Sequence, residues 1–403
     1  MTAITPLRHG PFRRYLIGQT LSAFGDSLLP IALVFAVLGQ GGDATAVGIV
    51  LLASRIPAIL LVLFGGAIGD RFDRRRVLVA TDLARSGFQA VTAVQLLTGH
   101  APLWALAGSQ ALAGAASALF GPASAGLVRT LLPAASLAQG NALLGLGRNL
   151  VGVTGLAAAG ALVTTVGAGW AFAVDAATFA ASALFLARLP VLPPPVAGPS
   201  LRRAVLVGVR AVFARRWLWP SIGYVAVLNL VAVCPFLVLG PVIADAVLGG
   251  PRAWTTIAVG YAIGGIGGSA VALRWRPRHP LRAAFVAALG LSPFLFLLGA
   301  AAPVPAITTA ALLAGAQASV FNVFHGTTLQ TQVPAHLVSR VSSVNLLGAL
   351  AAVPLGLALA GPLAAATSDQ AVLTTGACCA LIGTVAILLV PDVWRLPAAT
   401  RTA

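Results

Sequence analysis

Apolar stretches of about 20 residues recur along the whole chain, divided by short segments rich in Arg, Pro or Gly. A helix needs about 20 mostly apolar residues, at a rise of about 1.5 Å each, to cross the hydrocarbon core of a bilayer. There every backbone N–H and C=O must be satisfied within the segment, which leaves the helix as the element such runs can form. Twelve runs are read: 15–38, 46–69, 77–97, 103–127, 137–166 and 170–189, then 217–247, 254–273, 283–300, 306–328, 338–366 and 371–390. Composition agrees, with 59% hydrophobic and only 8% charged residues, where a soluble chain carries about 25% charged. The expected fold class is an all-α polytopic membrane protein.

The formal net charge is +16, with every basic residue an Arg and every acidic one an Asp. Such an excess can mark a nucleic-acid binder, but its placement excludes that reading here. Counting alternate loops, nineteen arginines fall on one side of the membrane and only Arg252 on the other, which puts both termini in the cytoplasm. Tyr15, Trp104, Trp170, Trp217, Trp254, Trp275 and Trp394 lie near expected helix ends, as an aromatic belt requires. The Arg-bearing start is read as leading into a retained first helix, because the apolar run after it is too long for a signal peptide and lacks a small-residue cleavage site. Cys234, Cys378 and Cys379 sit in apolar runs without metal-type spacing, so neither a disulfide framework nor a zinc site is expected.

Six runs precede a break carrying Pro190, Pro193, Pro194, Pro195 and Pro199, and six follow it. The expected organisation is a bundle at 1–189, a cytoplasmic linker at 190–216 and a second bundle at 217–403. Within the linker, Leu201, Val205, Leu206, Val209, Val212 and Phe213 share a helical face while Arg202, Arg203 and Arg210 lie largely off it, as in a helix resting on the inner leaflet. The halves repeat. Phe120 matches Phe321, Pro133 matches Pro334 and Pro190 matches Pro391 at an offset of 201, and an arginine loop follows the second run of each half. Six runs per half make the repeat parallel, so two pseudo-twofold-related six-helix bundles with a substrate site between them are expected.

The segment Gly66-Ala-Ile-Gly-Asp70-Arg71-Phe-Asp73-Arg74-Arg75-Arg76 resembles the loop signature of the major facilitator superfamily, Gly-x-x-x-Asp-Arg-x-Gly-Arg-Arg, with Asp73 where the second Gly would stand. The stretches Phe12 to Leu28 and Trp170 to Phe179 resemble the branch containing macrolide-efflux and enterobactin-export proteins. The resemblance implies proton-driven export of bulky amphipathic compounds, and a gating role for Gly66, Asp70, Arg71, Arg75 and Arg76. The Gly-Pro element typical of antiporters appears only as Gly152-Val153.

A charge near the bilayer centre costs about 2.5–3.5 kcal/mol or more and usually faces a cavity or a partner. Asp26 lies about 16 Å into the first run by helical rise, and Arg148 and Arg55 are placed at a similar depth, with Asp175 nearer the outside. Asp26 is the expected proton carrier, with Arg148 or Arg55 controlling its affinity for the proton; a fixed structural ion pair is the alternative. Gln19, Ser22 and Asp26 share a face of the first helix, and with Asn229 and Gln317 are candidates for lining a substrate cavity, or for hydrogen bonding between helices. Gly260, Gly264 and Gly268 have the spacing of close helix packing. His325 falls near the cytoplasmic end of its run, where water can reach it.

The sequence holds no nucleophile motif, phosphate-binding loop or metal-ligand cluster, so neither an enzyme nor a cofactor is expected. The expected partners are a small-molecule substrate, protons and the lipid bilayer, and one chain suffices to enclose a site. An importer, a uniporter and a lipid scramblase or membrane enzyme are the alternatives to an exporter.

Overall fold

The computed structural model describes residues 5–69, 73–133, 136–190 and 201–397, and every regular element among them is helical. The chain divides into two compact units, Met1–Ala197 and Gly198–Ala403. Unit 1 contains α1 (Gly10–Gly39), α2 (Ala44–Gly69), α3 (Arg74–Leu97), α4 (Leu103–Leu131), α5 (Leu137–Thr165) and α6 (Ala168–Ala187). Unit 2 contains α7 (Leu201–Phe213), α8 (Leu218–Leu228), a π-helical turn at Asn229–Val233, α9 (Cys234–Ile243), a second π-helical turn at Ala244–Leu248, α10 (Pro251–Arg274), α11 (Pro280–Ala288), α12 (Leu291–Gly299), α13 (Val304–Gln332), α14 (Ala335–Leu350), α15 (Val353–Ala366), α16 (Asp369–Leu388) and the short α17 (Pro391–Arg395).

Each of the twelve expected runs coincides with a helix or a chain of helices, and among the described residues eleven of them are long and apolar enough to cross a membrane. The exception is α3, whose sequence includes Asp82, Arg85, Gln89 and Gln95. Three runs in unit 2 are interrupted where the reading expected continuous helices. Pro293 denies the carbonyl of Leu289 its helical partner, and Pro354 does the same to Leu350, so α11 breaks from α12 and α14 from α15. The π turn at Asn229–Val233 splits the first span of this unit.

Asp73, at the position of the missing signature Gly, is the N-cap of α3: its carboxylate accepts a hydrogen bond from the Arg75 backbone N–H at 3.0 Å. The substitution therefore supplies a cap, the commonest way to satisfy an orphan donor of a first helical turn. The Arg75 guanidinium donates to the Ala187 carbonyl, and Arg14 donates to the Arg188 carbonyl at 3.0 Å. Two arginines thus satisfy the carbonyls at the end of α6, where cations are favoured. Arg76 is 83% exposed and lies 3.9 Å from Asp73. Gly66 falls in the last turns of α2; Asp70, Arg71 and the linker prolines Pro193, Pro194, Pro195 and Pro199 lie outside the described residues.

The two units repeat their packing. In unit 1, α2 packs along α4, and a Cβ added at Gly114 would fall 2.1 Å from the Ser54 carbonyl oxygen. In unit 2, α10 packs along α13, and a Cβ at Gly315 would fall 1.9 Å from the Tyr261 carbonyl oxygen. Gly264 and Gly268 press in the same way on the carbonyls of Leu312 and Ala316, so this glycine row serves close helix approach.

The linker helix is not simply a leaflet-bound one. Ala211 and Val212 of α7 are buried in a core with Leu218 and Val341, and a Cβ at Gly208 would meet the Arg340 carbonyl of α14 at 2.8 Å. Leu206 and Phe213, from the same apolar set as Val212, point outward at 52% and 68% exposure. One side of the helix is taken up by the bundle, and the apolar residues are shared between two environments.

Candidate functional site

The charged residues of α3 follow helical spacing. Thr81, Asp82, Arg85, Gln89 and Thr92 are all buried, while Leu83, Val91, Val94 and Leu97 are exposed. Positions three, four and seven apart share a face, so α3 turns its polar side into unit 1 and its apolar side outward. That is the inverse of a soluble helix and is expected of a span with lipid outside.

Arg85 is the centre of this face. One guanidinium nitrogen bonds an Asp26 carboxylate oxygen, and the other lies 3.8 Å from an Asp82 oxygen. The guanidinium stacks on Phe179 of α6, with its carbon 3.7 Å from the ring centroid, and lies 6.0 Å from the Phe120 ring centroid. Stacking on a desolvated ring is worth about 2 kcal/mol, and it fixes the plane in which the two nitrogens can reach their carboxylates.

Three carboxyl groups surround this one cation, in unequal environments. The Asp26 side chain is 44% exposed, whereas Asp82 and Asp175 are wholly buried. None of the four oxygens of Asp82 and Asp175 has a hydrogen-bond partner of good geometry among the described residues; the donors nearest to them are Ser182 for Asp82 and Gln89 for Asp175. Gly25, beside Asp26, brings α1 onto α6: a Cβ there would lie 2.2 Å from an Asp175 carboxylate oxygen and 2.1 Å from the Thr178 hydroxyl. Asp175 therefore lies directly behind the Asp26 segment. From this cluster a buried polar row runs between α3 and α4. The Gln110 amide donates to Gln89 at 3.0 Å, and Thr92 and Ser109 share a hydrogen bond of 2.8 Å.

Asp26 and Asp175 are brought together, but the expected cationic partner is replaced. Gly147 of α5 packs on Thr20 and Gly155 on Ser27, which sets Arg148 about 9 Å along the helix axis from Asp26 rather than level with it. Arg148 is exposed and acts electrostatically on Tyr15. Arg55 is also exposed, with no ion pair among the described residues. The partner of Asp26 is Arg85, in a run read only as apolar. The signal was present as Asp82, Arg85, Gln89 and Thr92 at intervals of three and four.

Among the other candidates, Ser22 is buried at 4% exposure, the placement of the helix-packing alternative. Gln19 is half-buried, with its amide nitrogen buried and without a hydrogen-bond partner among the described residues. Asn229 donates to the Ala349 carbonyl at 2.7 Å, at the end of α14. Ser27 makes the matching bond in unit 1, donating to the Val151 carbonyl at 3.0 Å. The Gln317 side chain is half-buried beside Gly290. His325 is buried and stacked on Phe321, not reached by water.

Spanning helices in two repeated units, with a charged cluster buried inside one of them, define a polytopic membrane protein of transporter architecture. Residues 15–350 match the family model of the Major Facilitator Superfamily, and the chain belongs to that family. It is 28% identical over 400 residues to the multidrug efflux pump Tap of Mycolicibacterium fortuitum, covering 96% of this chain and 97% of that protein. The multidrug efflux pump Tap of Mycobacterium tuberculosis strain H37Rv is 28% identical over 378 residues, covering 88% and 87%. Among solved structures, the peptide transporter POT in complex with sulfate aligns with a TM-score of 0.76 at 14% identity, covering 96% of both chains. A bacterial homologue of the iron transporter ferroportin in an inward-facing state aligns with a TM-score of 0.74 at 16% identity, covering 94% and 98%.

Proposed function

We propose that this protein is a secondary exporter that moves small amphipathic or hydrophobic compounds out of the cell in exchange for protons, by alternating access and without catalysing a chemical reaction. Export is supported by similarity to pumps named for multidrug efflux over nearly the full chain. The arginine distribution favours an inner-membrane protein with both termini in the cytoplasm, and one chain forms the working unit.

The observation that carries the proton coupling is the single Arg85 guanidinium reaching both an exposed and a buried carboxylate. A buried ionised carboxylate without donors costs several kcal/mol, and either a proton or a cation removes that cost. With Arg85 on Asp26, the carboxyls behind it carry the proton. When Arg85 turns toward Asp82 or Asp175 it supplies the charge instead, and the proton is released. Phe179 acts as the platform on which the guanidinium turns. The hydrogen bonds of Arg14 and Arg75 at the end of α6 give the gating loop a latch within unit 1. Arg55 and Arg148, exposed within spans, are read as facing water and contacting substrate rather than setting the proton affinity of Asp26.

The test uses inverted membrane vesicles holding a proton gradient, a pH-sensitive dye and a panel of macrolides, dyes and siderophores. Wild type is expected to release protons when substrate is added, and Asp26→Asn and Asp175→Asn to abolish that release. Equal release from wild type and both variants would make the cluster structural. Substrate movement driven by a sodium gradient instead would replace the proton as coupling ion.

A further inference from the structure

We propose that unit 2 binds an anionic phospholipid, with one acyl chain lying in a groove between α8 and α16 and its phosphate held at Arg216. The groove has a volume of about 310 Å³ and is lined by Pro220, Gly223, Tyr224 and Val227 on one wall and Gly383 and Ile387 on the other. From Pro220 to Val231 it follows α8 and the π-helical turn after it for about 16 Å, comparable to much of an acyl chain. Its floor makes no polar demand: the Tyr224 hydroxyl is already bonded to Thr384 at 2.8 Å. The protein does not fill it, since a Cβ at Gly223 would meet nothing within 4 Å. The groove is apolar and open, with Val227 of its wall 53% exposed.

The charge at one end selects the occupant. Arg216 is exposed and stands four residues before Pro220 at the mouth, just ahead of α8. Arg215 donates to the Ala211 carbonyl, which leaves Arg216 as the more available cation. On the other side of the mouth Val390 leads into α17, held against α11 by Arg282 stacked 3.7 Å over Trp394. Among the described residues of α7, α17 and the turn before α8, Asp392 is the single carboxylate, against Arg210, Arg215, Arg216 and Arg395. The same end carries α7, with Leu206 and Phe213 turned outward beside exposed Arg210. Apolar side chains beside arginines are the composition of an interface with anionic lipid. An open apolar groove ending in net positive charge fits an anionic phospholipid better than a zwitterionic one.

Native mass spectrometry of the purified full chain, titrated with phosphatidylglycerol, phosphatidylethanolamine and phosphatidylcholine, tests this. Wild type is expected to retain one phosphatidylglycerol in preference to the other two. Arg216→Gln lowers that preference about fivefold, the weight of one basic residue at a membrane surface. Gly223→Val, which fills the groove, loses the retained lipid of every class. Gly383→Ala is the milder filling variant, because its Cβ meets only the Tyr224 ring at 3.6 Å; it weakens retention if Gly223→Val fails to fold. Undiminished retention in Arg216→Gln and in the filling variant that folds overturns the proposal. Displacement of the lipid by tetraphenylphosphonium in wild type would assign the groove to amphipathic substrates and overturn it equally.

Discussion

Units 1 and 2 pack their helices by the same scheme and fill them with opposite chemistry. Among the described residues, the ion pairs lie in unit 1, and the aromatic pairs, linking Tyr224, Phe236, Tyr261, Phe285, Phe294 and Phe321, lie in unit 2. The repeat makes the contrast direct. Phe120 faces the Arg85 guanidinium, while its repeat partner Phe321 faces Tyr224, Phe285 and His325. The proposed proton coupling places its charges in the first of these interiors; in the second, no ion pair is found among the described residues. The two units thus share a packing scheme while one interior is built around an ion-paired arginine and the other around aromatic rings.

The largest test of that contrast is Arg85→Gln. It leaves three carboxyls with no cation and is expected to cost about 3–5 kcal/mol, read as loss of folded protein in detergent on heating. Adding Asp82→Asn to the same chain restores a large part of this, because the lost partner and the stranded charge are removed together. If Arg85→Gln is as stable as wild type, the two interiors do not differ in the way described.

Gly114→Val and Gly315→Val probe what the units share. Each places side-chain carbon on a backbone carbonyl and is expected to cost about 1–3 kcal/mol, by a similar amount in both units. A large loss in one and none in the other would separate the two scaffolds. Phe179→Leu removes the platform under Arg85 and is expected to cost about 1–2 kcal/mol, with weaker substrate-driven proton release in vesicles. Tyr224→Phe removes the hydrogen bond to Thr384 in the aromatic half and costs about 1 kcal/mol, with proton release unchanged. The smallest effects belong to the matched bonds between first and fifth spans: Ser27→Ala and Asn229→Ala each cost about 0.6 kcal/mol, the average for a hydrogen bond between membrane helices. A much larger loss for Asn229→Ala would show that its bond also braces the break between α14 and α15.

Helical class, the twelve runs and the internal repeat were legible because each is a local property. An apolar run of sufficient length has no other way to satisfy its backbone in lipid, whereas a proline alone did not fix the breaks: Pro30 and Pro57 lie inside unbroken helices, while Pro293 and Pro354 stand where helices part. Asp26 and Asp175 were legible as intramembrane charges for the same reason. Their partner was not. Depth counted along single helices set Arg148 level with Asp26, but the glycine contacts between α1 and α5 shift the two helices relative to each other. Arg85 was passed over although its spacing to Asp82 and Gln89 marked a buried polar face. Which charges meet depends on helix register and rotation, and these are set by the summed fit of side chains from several helices. The sequence by itself therefore determined how many helices there are and which carry charge; the tertiary structure decided that one arginine bridges an exposed Asp26 and a buried Asp82, with a second buried carboxyl, Asp175, packed behind the Asp26 segment.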